Sequence, residues 1–322
     1  MTTETPEQAA PVLRTVQSLW AMEDLPRGAP EWSLEEQIEK LEGAGYDTVA
    51  VDLGARKAPS AERLAAALEQ SPLESMVFTF AGTDEELAQS LEFAHVIDAK
   101  EMVLCASFYE QDIHLAALQI TRWFEQAEKE GVALQLETHR NTVTNDLRFT
   151  RRLVEVLDPR IELAIDLSHY IVGAEIPDTP SPEVEDQVAG IIARAGSVQG
   201  RIASRSQVQL PLEHPLAAPW VALSRRWWRQ AFQSILERRD FADRSAPVTF
   251  VTELGTTPYA LVGMDGVELA DRWADALQLV EWASEELAAV HSQLAPIPIG
   301  RPFHSAQALS APITRRDGHG NH

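Results

Sequence analysis

VALQLETHRNT at residues 132–142, IELAIDLSHY at 161–170 and VTFVTELGTTPY at 248–259 share one plan: a short apolar run that stops on an acid, Glu137, Asp166 or Glu253. A brief, mostly apolar run bounded by polar residues reads as a strand buried on both faces, the kind that builds parallel sheets. Similar runs lie at 12–19, 48–52, 75–80, 101–106 and 197–203; with 133–137, 162–166 and 249–253 they make eight. Most are spaced by about 25–35 residues, the length of a repeated βα unit.

The segments between them read as helices. SLEEQIEKLEGAG opens on the capping box Ser33–Glu36 and closes on Gly43 and Gly45, which suit a C-cap. TDEELAQSLEFAHVIDA has Thr83 as its cap, acids in the first turn, and Leu87, Leu91 and Ala94 along one stripe. HLAALQITRWFEQAEKEG follows the same plan, and the last helix is expected over 267–290. A longer insert separates the seventh and eighth runs and carries the amphipathic LSRRWWRQAFQSILERRD. Its adjacent Trp227 and Trp228 are expected to face apart, one on the barrel and the other capping the pocket or meeting a second subunit, which would suit a homodimer. The tail 296–322, rich in Pro, Gly and polar residues, reads as loosely structured beside a single domain over 1–295.

Alternating strands and helices also fit an open doubly wound sheet. That fold binds dinucleotides through G-x-G-x-x-G after its first strand, and LWAMEDLPRGAPEW contains no such motif. The expected fold is therefore α/β: a (β/α)₈ TIM barrel with an extra helix between strands seven and eight.

Bulk composition narrows the function. The 322 residues are 45% hydrophobic, enough for one large core, and carry a formal charge of −22. A surface of that sign repels phosphate backbones and anionic lipid, so neither nucleic acid nor a membrane is an expected partner. Cys105 is the single cysteine. It permits no internal disulfide and, with no signal-peptide pattern in MTTETPEQAAPVLR, points to a cytoplasmic protein. Cys105 closes the fourth run with no basic neighbour in sequence to make it a nucleophile. His95 and His114 fall on helices away from the strand ends.

In a barrel the C-terminal strand ends form the mouth where active sites lie. Glu137, Asp166 and Glu253 all reach it, from strands five, six and eight. A single strand-end acid could merely be solvated, but three that converge suggest a divalent-metal site. His139 and Arg140 follow Glu137 closely and belong near the same mouth.

The strings ETHRNT, DLSH and TELGTTPY, in this order on strands five, six and eight, resemble the xylose isomerase-like barrel superfamily, and within it the bacterial sugar isomerases and epimerases. The resemblance covers residues 12–293. It implies one divalent ion held by a Glu, an Asp, a His and a second Glu from strands five to eight. Glu137, Asp166 and Glu253 match three of the four. On strand seven, Gln199 stands two residues before Arg201 where the family has His. An amide oxygen serves a hard cation but does not replace imidazole for zinc, so Mn²⁺ or Mg²⁺ is expected over Zn²⁺. The other reading of Gln199 is a polar strand residue with no ligand role.

The resemblance also places His169 beside the metal and gives Arg201 a substrate or a ligand carboxylate to contact; charge balance among the acids is an alternative use for that arginine. Trp20 could stack on a sugar face, and His139 belongs with the substrate contacts. The implied activity is isomerisation or epimerisation of a small sugar or keto compound by proton abstraction and a metal-stabilised enediolate, with Glu137 and Glu253 as base and acid. Lyase or dehydratase chemistry on a keto sugar fits the same donor set. A non-catalytic sugar-binding barrel with a decayed metal site is the alternative that Gln199 suggests. DNA-repair endonucleases share the superfamily but need further His ligands, which this chain lacks, and tolerate −22 poorly. No phosphate grip is visible, which favours an unphosphorylated substrate.

Overall fold

A computed structural model describes residues 11–239 and 243–294. The eight apolar runs form β1 (Leu13–Ser18), β2 (Thr48–Asp52), β3 (Glu74–Thr79), β4 (Glu101–Leu104), β5 (Ala133–Glu137), β6 (Leu163–Ile165), β7 (Ala195–Gly200) and β8 (Val248–Thr252). Each pairs in parallel with the next, and β8 returns to β1 to close a (β/α)₈ barrel. That last seam runs from Leu13 opposite Val248 to Gln17 opposite Thr252.

Helices α1 (Leu34–Ala44), α2 (Ala61–Leu68), α3 (Asp84–Val96), α4 (Ile113–Lys129), α5 (Leu147–Val156), α6 (Ser168–Gly173), α7 (Pro182–Ile192), α8 (Ala218–Arg238) and α9 (Arg272–Gln293) surround it. Their starts follow the local chemistry. Ser33 and Thr83 each accept the N3 backbone N–H while Glu36 and Glu86 reach back, closing two capping boxes. Asp112 and Asp146 cap α4 and α5. Gly45 ends α1 at φ +77°, a left-handed turn that a side chain would strain.

Two cores result. Outward strand residues pack under the helices in one continuous cluster, whereas Val16, Ala50, Met76, Phe78, Val103, Ala164 and Val251 fill the barrel interior. The two-residue strand period does this sorting. On β8, Val248 and Phe250 belong to the outer cluster and Val251 to the inner one, which turns Glu253 inward. The same alternation turns Glu137, Asp166, Gln199 and Arg201 into the barrel.

Several boundaries differ from expectation. β6 is only three residues, because pairing stops short of Asp166. β7 begins at Ala195 and ends at Gly200, so Arg201 lies just past its end. The last helix begins at Arg272 rather than at 267: the Asp271 carboxylate caps Trp273 and Ala274 at 3.1 and 3.2 Å, while Val262 and Glu268 form a small antiparallel bridge around Gly266. Trp228 packs on the barrel as one of the pair was expected to, but Trp227 takes neither of the other expected roles. Both are buried, at 0% and 3% exposure. Trp227 donates its indole N–H to Glu185 of α7 at 3.1 Å, and Trp228 packs edge-on against Phe250 at 5.2 Å. Neither caps the mouth nor offers a surface to a second subunit. The tail 296–322 lies outside the described residues.

Arg272 locks the β1–β8 seam. Its buried guanidinium donates to the carbonyls of Ala21, Glu23 and Leu254 and to the Glu268 carboxylate.

Candidate metal and active site

The carboxylates of Glu137, Asp166 and Glu253 converge at the C-terminal end of the barrel, each offering an oxygen within 4.8 Å of the others. All three side chains are buried. Local bonds occupy one oxygen of Asp166 and one of Glu137. Ser168 N–H fixes Asp166 Oδ1 at 2.8 Å, and the Cys105 thiol donates to Glu137 Oε2 at 2.9 Å. Glu137 Oε1, Asp166 Oδ2 and Glu253 Oε2 have no hydrogen-bond partner, and neither does either amide atom of Gln199.

Arg201 is the cation among these acids. Its Nη1 lies 2.9 Å from Asp166 Oδ2 and its Nη2 lies 3.0 Å from Glu253 Oε2, close enough for ion pairing although the N–H vectors do not meet those oxygens. Its Nε–H donates to the Glu253 carbonyl at 2.8 Å, and Nη1 faces His169 Nε2 at 3.2 Å. Burial opposes the Arg201 charge, but Asp166 and Glu253 outweigh it and hold the pKa above its ordinary value.

Three carboxylates and one guanidinium sum to −2. Burial pushes the Glu137 carboxyl up to about 8, with the Asp166 charge adding to the rise while the Cys105 thiol, Gln199 and Arg201 oppose it. Burial also raises Glu253 well above the usual carboxylate range, against Arg201 and with Glu137. The site can relieve its excess charge with protons or with one divalent cation. The donors at this end of the barrel are all oxygens, three from buried carboxylates and one from the Gln199 amide, a set that fits a hard divalent cation, which would compete with Arg201 for Asp166 and Glu253.

Above the acids sits an aromatic and cationic rim. The Tyr259 ring lies between two guanidiniums, Arg140 at 4.7 Å and Arg201 at 5.0 Å. Trp20 meets Tyr259 edge-on at 4.9 Å. Gly255 makes room for Trp20, because a Cβ there would stand 2.0 Å from the indole. His139 and His169 meet beside the acids with ring centroids 4.0 Å apart and planes tilted by 53°, and Phe80 meets His139 edge-on at 5.2 Å. Burial drives the His139 pKa down to about 4 and lowers His169 strongly, so both imidazoles are neutral near pH 7.

The structure thus brings together every residue singled out by sequence: Trp20, Glu137, His139, Asp166, His169, Gln199, Arg201 and Glu253. It adds Asp52, Cys105 and Tyr259. Asp52 ends β2 with Oδ1 held by Gly54 N–H at 2.7 Å, and burial raises it to about 6. TVAVD carries the same signal as the other three, an apolar run closed by an acid. Cys105 has an acid rather than a base for a partner, and burial followed by the Glu137 charge keeps it a thiol. Tyr259 could be found only through the loop after β8. His95 and His114 are on α3 and α4, as expected. A groove of 780 Å³ lies between α8 and α9, but its arginines Arg225, Arg226 and Arg229 are already paired with Glu185, Glu285 and Glu286.

No family model and no curated protein matches the chain by sequence. Its structure is similar to an L-ribulose 3-epimerase, with 12% identity over 88% of this chain and 97% of that one at a TM-score of 0.56. It is similar to a xylose isomerase-like TIM barrel protein from Mycobacterium smegmatis in complex with magnesium, with 14% identity over 87% and 98% at 0.53. A xylose isomerase-like TIM barrel/4-hydroxyphenylpyruvate dioxygenase fusion protein gives 14% identity over 91% of this chain at 0.55, and the chain spans about half of it, 46%. These likenesses show the fold, a (β/α)₈ barrel.

Proposed function

We propose that the protein is a metal-dependent isomerase or epimerase of a small sugar or sugar-derived keto compound. One observation carries the reading: three buried strand-end carboxylates offer oxygens within 4.8 Å of one another at the barrel mouth, with the unpartnered Gln199 amide beside Glu137. Likeness in fold to a sugar epimerase and to a magnesium-bound barrel supports it.

Glu137, Asp166, Gln199 and Glu253 would hold one divalent ion, Mn²⁺ or Mg²⁺ ahead of Zn²⁺ because the donors are oxygens. When bound, such an ion supplies Lewis-acid polarisation of a substrate carbonyl. The rest falls to the chain. Glu253 and Glu137 approach from β8 and β5, opposite walls, and one takes a proton from the carbon beside the carbonyl while the other returns it. Their raised pKa values bring them toward neutrality, where a carboxyl works as well as acid as base. Arg201 and His169 hold substrate oxygens, and His139 and Trp20 line the pocket. Trp20, Tyr259 and Phe80 keep water from the reacting carbon. The lone buried thiol suits the cytoplasm we assign. Among the described residues no helix is long and apolar enough to cross a membrane.

The test is Glu253→Gln. It keeps the size and one ligand oxygen but cannot accept a proton, so turnover should fall by about 10²–10⁴-fold with substrate binding far less changed. Wild type should incorporate deuterium from D₂O at the substrate carbon, and the variant should not. If the metal-loaded wild type turns over its substrate without exchanging any carbon-bound proton, the proton-transfer mechanism is wrong.

A further inference from the structure

Beside the carboxylate set the barrel mouth holds a second group of potential ligands: Glu137, His139 and His169 each offer an atom within 4.8 Å of the other two. Hydrogen-bond accounting identifies the atoms. His139 Nδ1–H donates to the Arg140 carbonyl, which leaves Nε2 with its lone pair free. His169 turns Nε2 toward Arg201 and Asp166, which leaves Nδ1 buried with no partner. Glu137 gives Oε2 to the Cys105 thiol and leaves Oε1 free and buried. With the His169 ring proton on Nε2, which requires the Arg201 N–H now facing that nitrogen to shift, two imidazole nitrogens face the Glu137 oxygen that also belongs to the carboxylate set.

We propose that this set is a second metal site, built around Glu137 as a bridge to the carboxylate-bound ion, and that it takes a borderline cation such as Zn²⁺ or Co²⁺. This rests on the metal reading above and extends it from one ion to two. The donor set supports the assignment: two histidines and one glutamate hold catalytic zinc elsewhere with a coordination position left open. So do the groups behind it. A ligating histidine usually gives its other ring N–H to a carbonyl or carboxylate, which fixes the ring and sharpens the ligand. His139 has the Arg140 carbonyl for this purpose. His169 has Asp166 Oδ2 at 3.4 Å, to which Nε2–H can turn once Nδ1 binds a cation.

Rigidity points the same way. His139 is braced by Phe80 and by the His169 ring, so the two imidazoles need little ordering to bind. The division of donors also gives the sites different tastes. Oxygens from Asp166, Gln199 and Glu253 suit a hard ion, while imidazoles suit a softer one.

The experiment titrates the metal-stripped full chain with Co²⁺, reading stoichiometry by calorimetry and the visible absorption that imidazole ligation intensifies. Wild type should bind two ions per chain. His139→Phe keeps the ring packing but removes both nitrogens; it should bind one ion and lose the intensified absorption. Glu253→Ala cuts only the carboxylate set and should also bind one ion, with that absorption kept. Thermal melts confirm that each variant is folded, and His139→Ala stands in should the phenylalanine not fit. If wild type binds one ion and His139→Phe keeps it, the second site does not exist and the carboxylate reading stands. One ion lost in His139→Phe and kept in Glu253→Ala would overturn both the two-ion proposal and the carboxylate assignment. No binding at all would sink both.

Discussion

Replacing Arg201 by Met tests whether the acids at the barrel mouth depend on that one cation. The change keeps much of the side chain's length and removes its charge. In the native site one guanidinium lies 2.9 Å from Asp166 and 3.0 Å from Glu253, with all three groups buried. Removing one partner of a buried pair costs about 3–5 kcal/mol, because it leaves the other charge uncompensated. Here two carboxylates lose their counter-ion, which argues for the top of that range. They can escape by taking protons, which argues for less. The expected loss for the metal-free chain is about 3–4 kcal/mol near neutral pH, a drop in Tm of roughly 4–6 °C for a domain of this size.

The escape route makes the test specific. Acids without Arg201 have their pKa values raised further, so the variant's deficit should be small at about pH 5 and grow as pH rises through neutrality. A divalent ion supplies the missing charge. At about 100 times its Kd any bound ion stabilises by about 2.7 kcal/mol, and it should recover more in Arg201→Met than in wild type. Urea melts at both pH values, with and without Mn²⁺, measure all of this. A deficit under about 1 kcal/mol, the value of an exposed pair, would refute the reasoning, and so would one that ignores both pH and metal.

Metal affinity should rise with pH, because Glu137 is held near 8 by burial and the ion must displace its proton; calorimetry should show about tenfold per pH unit for each proton released, flattening above pH 8. The metal-free chain should behave oppositely: the contribution of Glu137 to stability is complete below its ordinary 4.5 and is lost as pH rises through about 8. Gln199→Ala should weaken Mn²⁺ binding and Gln199→His should shift preference toward Zn²⁺; unchanged binding in both would make Gln199 a bystander. Trp227→Ala should cost about 3–5 kcal/mol in a urea melt without altering metal binding, since it hollows the packing under α8 far from the mouth.

The barrel and its acids were legible because one physical rule covers both. An apolar run buried on two faces ends at the rim of the barrel, and Thr48–Asp52 and Ala133–Glu137 each stop on the acid that lines the mouth. β7 was harder to bound: Ile202 and Ala203 carry the apolar run on past Arg201, yet β8 pairs only as far as Gly200. The start of α9 was hidden because VELADRW carries helical spacing through 267–271, and only Gly266 at φ +78° and the Asp271 cap show where the turn ends. The two tryptophans misled because adjacent helical residues usually differ in exposure, while α8 is covered by α7, α9 and the barrel at once. Pairings that join distant parts of the chain left no local mark. The Cys105–Glu137 contact spans 32 residues, and the stacking of Arg140 on Tyr259 joins two loops.

The seam between β1 and β8 bears on how the chain comes off the ribosome. β1 is made first and its partner last, and Arg272, which ties Ala21, Glu23 and Leu254 together, emerges later still. Until then the sheet is an open arc with two unpaired edges, the condition in which nascent strands stick to other chains. Glu253 arrives with that final strand. The mouth therefore cannot gather its full set of acids before the cylinder shuts, and a polypeptide released early from synthesis carries an incomplete cluster that no intact barrel shields.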